Sequence, residues 1–509
     1  MSQSEFNNLN LFTKFDNLTK ADLVTKYSNL EIQYFEIIKE NLRLKNQHLT
    51  DEQLNLIISE QLSELNGTMY GSSSERYEKP ENKKNKNVDP LPKIKKPSER
   101  YPNIPVREEI IVFATAPDCD QCGKVMTDSG MFEESEQLNV IPKKFEIIKY
   151  LRPKYRCSCQ ACIKTAPLPS RIIDGSSYSD DMIIDVVCSK YCDLIPIERY
   201  VQMAGRGGLM GLPPQSLIEL THQFANFTKP IYELIKKEIQ NSRVLHADET
   251  PHNMLEGSST KSWYLWGFST LKNCYLECHD TRSGDIATQI LQNSVCEVII
   301  SDDFGGYGKA LKSVNENRQI QNKNLVVNAK CNAHARRYFF KPRINYPECE
   351  FYLENYHQIY RLNAESKDKL PDEVLKLRQK MRIYFESMKS RAIEEYSSKK
   401  YSDKSKFMTA LNYFLKNYNE LILFLDQDDV AIDNNAQERL LRSHVVGRKT
   451  WYGTHSARGA DTAAILFSIV ETCKLNKINP REYLKNLVLD LHSGKNPYTP
   501  CEYKDLTKI

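Results

Sequence analysis

The chain has 509 residues, of which 40% are apolar and 27% are charged, and its net charge is +4. This composition is typical of a globular protein, and the length predicts two to four domains. No run of about 18 apolar residues appears, so we expect no membrane-spanning helix. The N-terminus shows no basic segment followed by an apolar one, so we expect a cytoplasmic protein. The 14 cysteines then indicate free thiols and a metal site more than a disulfide framework.

The first segment repeats apolar residues every seven positions, at Leu23, Leu30, Ile37 and Leu44. Heptads of this kind predict a coiled coil that associates chains, with Asn41 as a polar residue in the seam. A single amphipathic helix packed on the protein's own core explains the same pattern equally well. We assign residues 1–70 to a helical, coiled-coil oligomerisation region. Residues 71–104 are rich in Lys, Asn, Ser and Pro and predict a disordered linker.

Two groups of closely spaced cysteines lie in residues 105–175, which we assign to a zinc-binding module. Two thiol pairs presented by tight turns can supply the four sulfur ligands of a tetrahedral zinc ion. The predicted ligands of this structural Zn²⁺ are Cys119, Cys122, Cys159 and Cys162. Cys157 is the alternative fourth ligand, because "RCSCQAC" holds three cysteines. The competing interpretation is that several of these residues are buried thiols without a metal.

Residues 176–240 contain short helical patterns punctuated by Gly and Pro. A helix predicted to begin near Ser216 follows a Gly/Pro break and an earlier helix, an order similar to a helix-turn-helix. Many small helical connectors that do not bind DNA show the same pattern. We interpret the segment as a helical DNA-binding region.

The stretch "VLHADETP" (244–251) is an apolar run that ends in Asp248 and Glu249. Successive side chains on a strand point to opposite faces, so only one of the two can face a given site. A later strand ends in Asp302 and Asp303. The predicted strands cover 244–251, 262–270, 274–281, 295–303 and 324–330, with helices before the last two. This order predicts a ribonuclease H-like α/β domain, in which the carboxyl ends of strands meet at one crevice.

Carboxylates from different strands can share divalent cations, and a third carboxylate would complete a two-metal site. A helix predicted from about Asn434 offers Glu438, with Arg442 one turn later on the same face. A single Asp at a strand end is commonly a turn or cap residue, so the combination with Glu438 is the more specific signal. The basic residues suited to binding DNA phosphates are Arg439, Arg442, Arg448 and Lys449.

These motifs resemble those of the transposases of the insertion sequence 66 family, which belong to the DDE class. The resemblance rests on "MYGSSSERYE", "RPKYRCSCQACIKTAPLPSRI", "SKYCDLIPIERYVQMAGRGGL", "LHADETP", "SDDFGGY", "CNAHARRYF", "DNNAQERLLRSHVVGRKTWYGTHSARGA" and "IVETCKLNKINPREYL", in this order. It implies a catalytic triad of Asp248, Asp302 and Glu438 that binds Mg²⁺ or Mn²⁺. The motif around Tyr307 selects Asp302 and leaves Asp303 in a position that glycine usually fills.

The resemblance further implies metal-dependent DNA cleavage at the ends of an insertion sequence and strand transfer into target DNA. The expected partners are the terminal inverted repeats, the target DNA, other copies of the chain and accessory proteins of the same element, at the bacterial nucleoid. The ribonuclease H-like domain would then cover 241–338 and 430–490. An all-helical insertion would occupy 339–429, and a C-terminal tail 491–509.

The stretch "CNAHARR" contains Cys331 and His334, a spacing that can bind metal. Because only two ligands are visible, we favour a structural role near the active site. Two alternative functions fit the same residues. One is a nuclease or junction resolvase on the ribonuclease H-like fold, and the other is a zinc-containing DNA-binding regulator without catalysis.

Overall fold

The computed structural model describes residues 29, 33, 36–37, 40, 50, 52–53, 55–60, 96–111, 115–121, 123–126, 134–140, 143–156, 163–255 and 262–507. The chain divides into two compact units, one of Met1–Gly71 with Leu151–Ile509 and one of Ser72–Tyr150. Within the described ranges, no helix is long and apolar enough to cross a membrane.

The smaller unit contains a short helix, α1 (Pro97–Arg100). The Ser98 backbone N–H and hydroxyl both donate to the Glu136 carboxylate, at 2.9 and 2.8 Å. Further along, the Gly123 N–H donates to the Cys119 carbonyl at 2.8 Å and closes a tight turn. Gly123 has a φ of +67°, a left-handed conformation that favours glycine.

The larger unit is built around a mixed five-stranded sheet in the order β5-β4-β3-β6-β7. The strands of this unit are β1 (Lys154–Arg156), β2 (Ile163–Thr165), β3 (Val244–Asn253), β4 (Ser262–Ser269), β5 (Cys274–His279), β6 (Val298–Ser301) and β7 (Val327–Lys330). Strands β1 and β2 form a separate antiparallel pair. In the large sheet β3, β4 and β5 are antiparallel, whereas β3, β6 and β7 are parallel. The five predicted strands are therefore confirmed in position and chain order.

Helices surround this sheet. They are α2 (Asp180–Tyr191), α3 (Ile197–Arg206), α4 (Pro214–Gln240), α5 (Asp285–Gln292), α6 (Gly305–Ile320), α7 (Asn332–Phe340), α8 (Cys349–Glu365), α9 (Pro371–Ser398), α10 (Lys406–Lys416), α11 (Tyr418–Ile422), α12 (Asn435–Trp451), α13 (Ala457–Leu475), α14 (Pro480–His492) and α15 (Pro500–Thr507). A short 3₁₀ helix, Leu423–Asp426, follows α11.

The outer edge of β5 is covered by helices rather than left open. The backbone N–H groups of Cys274 and Leu276 donate to the hydroxyls of Thr472 and Ser468 on α13, at 3.0 and 2.9 Å. The Tyr232 hydroxyl on α4 donates to the Leu276 carbonyl at 2.8 Å. A free strand edge invites pairing with other chains, and these side chains satisfy it. Helix α4, which lies in the segment predicted to bind DNA, therefore packs against the sheet edge along part of its length.

All elements between β7 and α12 are helices, as predicted for this stretch. Their apolar side chains share one core with Val298, Ile300 and Ala329 of the sheet. A helical segment over 55–60 also contacts this region, because the Lys406 N–H donates to the Glu60 carboxylate at 2.9 Å.

The predicted coiled coil lies mostly outside the described residues. Of its four heptad positions only Ile37 is described; it is helical and 59% exposed. Leu23, Leu30 and Leu44 lie outside the described residues, so association of chains through this segment stays a prediction.

Candidate active site

The register of the parallel strands aligns the two candidate aspartates. His246 on β3 pairs with Ile300 on β6, so Asp248 and Asp302 each lie two residues past the last parallel pair. Side chains two residues apart point to the same face, and parallel neighbours lie about 4.8 Å apart. Asp248 and Asp302 therefore stand side by side at the carboxyl end of the parallel pairing.

Strand β3 extends two residues beyond the predicted end at 251, to Asn253. Asp248 lies inside the strand, opposite Gly267 on β4. The extension pairs only with β4, because the pairing with β6 stops at His246. Pro251, which has no backbone N–H to donate, can lie in β3 because this stretch has a strand neighbour on one side only.

Helix α12 lies across the face of β3 that carries Asp248. The His246 Nδ1 lies 2.9 Å from the Asn434 Oδ1, and the Asn434 amide donates to the Ala247 carbonyl at 2.8 Å. Further along, the His252 Nδ1 lies 3.1 Å from the His444 Nε2. These contacts fix the first turn of α12, which contains Glu438.

Glycine is required where α12 meets β4. A Cβ at Gly267 would overlap the amide end of Gln437 and press on Leu276 and Leu441. Gln437 immediately precedes Glu438, and both lie in the N-terminal part of α12. The absent side chain at Gly267 thus lets the helix approach the sheet closely enough to bring Glu438 toward Asp248.

The negative charges at this edge interact. In the absence of bound metal the pKa of Asp248 is raised to about 8, first by burial and then by the neighbouring Glu249, Asp302 and Glu438 carboxylates. No Lys or Arg forms an ion pair with Asp248 or Asp302 among the residues that the structure describes. A partly buried group of carboxylates without cationic partners is a ligand set for hard divalent cations.

Glu249 occupies the opposite face of β3 and is neutralised there. Its Oε1 accepts from the Arg282 guanidinium at 2.9 and 2.6 Å, and its Oε2 accepts from the Tyr307 hydroxyl at 2.8 Å. The Glu249 side chain is 1% exposed, whereas that of Arg282 is 45% exposed. Burial still raises the pKa of Glu249, although Tyr307 and Arg282 act to lower it.

Asp303 also has a cationic partner. The Lys330 Nζ lies 2.7 Å from the Asp303 Oδ1 and donates to the Asp302 carbonyl at 3.0 Å. Lys330 is the last residue of β7. This lysine ties the loop after β6 to the neighbouring strand, while the Asp302 Oδ1 accepts from the Phe304 N–H at 2.9 Å.

Cys331 and His334 lie beside Glu438, a proximity that the sequence did not show. Ser301 pairs with Lys330 at the ends of β6 and β7, so Asp302 and Cys331 are the residues that directly follow this last pair. The Cys331 Sγ, a His334 ring nitrogen and a Glu438 carboxylate oxygen all lie within 4.8 Å of one another. Burial raises the pKa of the Cys331 thiol to about 12 in the absence of metal.

The four basic residues predicted to bind phosphates all lie on α12. Arg439, Arg442 and Lys449 are exposed, whereas Arg448 is half-buried and its pKa is lowered by burial. None of the four has an ion-pair partner within the part of the chain that the structure describes. They are therefore available to a ligand.

The predicted zinc ligands are only partly described. Cys119 lies in the turn closed by Gly123. Cys122, Cys157, Cys159 and Cys162 lie outside the described residues, and the four-thiol site stays a prediction.

Two protein-family models match this chain. The family model described as "Transposase IS66 family" matches residues 175–462. A second model, "zinc-finger binding domain of transposase IS66", matches residues 117–160. That match includes Cys157 and Cys159 and ends before Cys162.

Three similar proteins come from Sinorhizobium fredii. Uncharacterized protein y4hP is 24% identical over 412 residues, which cover 75% of this chain and 72% of that protein. Uncharacterized protein y4jD is 24% identical, covering 78% and 79%. Uncharacterized protein y4qI is 27% identical, covering 76% and 72%. The family model spans more than half of the chain and includes every carboxylate of the candidate site, and the chain therefore belongs to the IS66 family of transposases.

Proposed function

We propose that this transposase is a DDE enzyme that cleaves DNA at the ends of an insertion sequence and joins those ends to target DNA. One observation carries the proposal. Asp248 on β3 and Asp302 directly after β6 each lie two residues past the last parallel pair, and Glu438 on α12 belongs to the same electrostatic cluster. No protein cation neutralises the two aspartates in the described part of the chain.

The residues present fit a divalent cation such as Mg²⁺ or Mn²⁺. Their donors are carboxylate oxygens, which such cations prefer, and burial together with the neighbouring carboxylates raises the pKa of Asp248. Asp248, Asp302 and Glu438 would hold the ions. When bound, such ions supply charge stabilisation for phosphoryl transfer and a nucleophile at neutral pH.

The chain's own residues have three separate tasks in this proposal. The carboxylate cluster concentrates negative charge at one edge of the sheet. Arg282 and Tyr307 hold the Glu249 carboxylate on the opposite face of β3, away from the cluster. Arg439, Arg442, Arg448 and Lys449 on α12 would bind the phosphates of DNA, which positions the scissile bond beside Glu438.

The reaction would proceed in two steps. Hydrolysis of a phosphodiester at the end of the element frees a 3′-hydroxyl, and this hydroxyl then attacks a phosphodiester of the target DNA. Both steps replace one oxygen substituent on phosphorus with another. The same carboxylate cluster can therefore serve both.

The observed topology supports a ribonuclease H-like catalytic domain as part of the proposal. Three antiparallel strands followed by two parallel ones, with helices between, are the order expected for it. We assign this domain to 241–338 and 430–490, with the helical segment 339–429 inserted between its second aspartate and its glutamate. Residues 1–70 would associate chains, and 176–240 would contribute to DNA binding.

We also propose a structural zinc ion in the thiol module. The Cys119 turn closed by Gly123 is suited to present a thiolate pair with Cys122. The second pair would come from Cys157, Cys159 and Cys162. Replacing each of these three singly with Ser and measuring zinc per chain identifies the two ligands. If no replacement lowers the zinc content, the thiol module holds no metal.

A strand-transfer assay tests the proposed activity. Full-length protein is mixed with a labelled DNA end that carries a free 3′-hydroxyl, together with plasmid target and Mg²⁺. Joined product supports the transposase mechanism. Cleavage of an uncut element end without joining would indicate a nuclease or resolvase. Binding without either reaction would indicate a DNA-binding regulator.

A further inference from the structure

Cys331 and His334 are placed on one side of a helix start. Cys331 is the N-cap residue of α7, and His334 lies in the first turn of that helix. Residues three apart on a helix are neighbours on its surface, so the two side chains can point at a common ligand. The Cys331 side chain is fully buried, and that of His334 is 29% exposed.

Glu438 faces this pair from α12. Its Oε1 lies 3.9 Å from the His334 Nδ1, which is too far for a hydrogen bond. Both atoms are buried, and neither has a hydrogen-bond partner among the residues that the structure describes. Buried polar atoms without partners are rare in proteins, and an ion bound between them is one physical reason for such an arrangement.

The sulfur is already supported as a ligand would be. The Asn434 backbone N–H donates to the Cys331 Sγ at 3.2 Å. Asn434 caps α12 and is itself fixed to β3 by its side chain. Hydrogen bonds of this kind orient and tune metal-binding side chains.

We propose that Cys331, His334 and Glu438 bind a transition-metal ion of the zinc class, at a site separate from the thiol module. The three donors are one sulfur, one nitrogen and one oxygen, all of which zinc accepts. Tetrahedral bond lengths place such donors about 3.4–3.6 Å apart. The observed separations, all within 4.8 Å, require these atoms to approach one another by at most about 1.4 Å.

This ion would differ in chemistry from those of the carboxylate cluster. Mg²⁺ prefers oxygen ligands, whereas thiolate and imidazole favour zinc. Three protein donors leave a fourth position of the tetrahedron open to water or to a phosphate oxygen. Glu438 has two carboxylate oxygens, so zinc held through one of them would leave the other for the carboxylate cluster.

Zinc content of the full-length protein tests this site. Wild type, Cys331→Ala and His334→Ala are purified under reducing conditions and dialysed against metal-free buffer, and zinc per chain is measured by mass spectrometry. We expect each variant to hold about one zinc ion less than wild type. Cys349→Ala is the matched control, because Cys349 is also a fully buried free thiol and is absent from the cluster.

Two variants distinguish loss of this zinc site from misfolding and from a change in the carboxylate cluster. His334→Ala removes a partly exposed side chain and puts a strong helix former into α7, so it keeps the test valid if Cys331→Ala does not fold. Asp302→Asn should retain the zinc. Unchanged zinc in both His334→Ala and Cys331→Ala overturns the proposal, as does loss of zinc in Asp302→Asn alone. The readout needs no DNA reaction, so its failure leaves the proposed transposase activity untouched.

Discussion

Strand β3 carries two adjacent carboxyl groups whose surroundings are opposite in charge. Glu249, on one face, accepts hydrogen bonds from Arg282 and Tyr307 and is almost completely buried. Asp248, on the other face, has Asp302 and Glu438 among its charged neighbours. The fold supplies the first group with hydrogen-bond donors and a counter-charge. Among the described residues the second group has no cationic partner, so it can bind a cationic ligand.

The difference distinguishes a structural carboxylate from a functional one. Burying a charge is unfavourable unless a counter-charge and hydrogen bonds accompany it, and Glu249 meets that condition within the protein. In the absence of metal, Asp248 has no such counter-charge among the described residues, and burial and the neighbouring carboxylates raise its pKa. Perturbed carboxyl groups that share a cluster are typical of catalytic sites.

We expect the largest effect on DNA cleavage, from changes to the carboxylates on the Asp248 side of β3. Asp248→Asn, Asp302→Asn and Glu438→Gln each keep the side-chain shape and remove one negative charge. Two-metal catalysis depends on these charges, so each change should lower DNA cleavage on the order of a hundredfold or more. DNA binding should persist, because phosphate contacts elsewhere carry it. Gel-based cleavage and binding assays measure the two quantities.

Two neighbouring carboxyl groups serve as controls for that experiment. Asp303 pairs with Lys330, and Glu249 lies on the opposite face of β3. Asp303→Asn and Glu249→Gln should therefore keep most of the activity, and the Gln amide can donate to the Tyr307 hydroxyl in place of accepting from it. If Asp303→Asn abolishes cleavage and Asp302→Asn does not, the assignment within "SDDFGGY" is wrong by one residue.

The next largest effect is expected on the free energy of unfolding in the absence of divalent metal. The pKa of Asp248 rises from 3.8 to about 8 on folding, so the folded state binds a proton that the unfolded state has lost over this range. Stability therefore falls as pH rises from about 4 to about 8. Asp248→Asn removes this penalty and should stabilise the metal-free protein by roughly 2–4 kcal/mol at pH 7.

Urea unfolding at several pH values measures this effect in buffer freed of divalent cations. The difference between Asp248→Asn and wild type should shrink as pH falls and vanish well below pH 3.8, where Asp248 is protonated in both states of the wild type. Added Mg²⁺ should stabilise wild type more than the variant. Equal pH dependence of the two proteins would show that Asp248 is ionised and tolerated in the metal-free fold.

Much of this arrangement could be predicted from sequence, because alternation and turn residues mark the strands. Asp248 and Asp302 were identified as residues that follow apolar runs, and Glu438 as an acidic residue at the start of a basic helix. The last two residues of β3, His252 and Asn253, were missed. They pair with β4 alone, and how far that pairing continues depends on the register of the two strands, which the local sequence does not contain.

The partners of these residues could not be predicted, because they depend on strand register. Arg282 and Tyr307 reach Glu249 from two different elements. Cys331 and Asp302 directly follow the last pair of β6 and β7 only because of the register of these strands. Glu438 approaches His334 from across the helical insertion, and Gly267 permits that approach by lacking a side chain.

On the opposite face of β3, removing the cationic partner of Glu249 should destabilise the protein, whereas Asp248→Asn should stabilise it. Arg282→Met keeps much of the contact with the Phe304 ring but leaves the Glu249 carboxylate buried without a counter-charge. Because Arg282 is itself nearly half exposed, we expect a loss of about 2–3 kcal/mol at pH 7. The loss should shrink toward pH 4, where Glu249 is protonated. A variant as stable as wild type at pH 7 would mean that Glu249 is already neutral in the fold.

The smallest effect is expected at Tyr307. Tyr307→Phe keeps the ring, which packs edge-on against Trp266 with centroids 5.9 Å apart, and removes only the hydroxyl that donates to the Glu249 Oε2. One lost hydrogen bond to a buried carboxylate, with Arg282 still in place, should cost about 1–2 kcal/mol. The combination with Arg282→Met should cost more than the sum of the two, because Glu249 then keeps neither donor. Thermal unfolding of the two single variants and the double variant measures this coupling. Strict additivity would show that the two donors act on Glu249 independently.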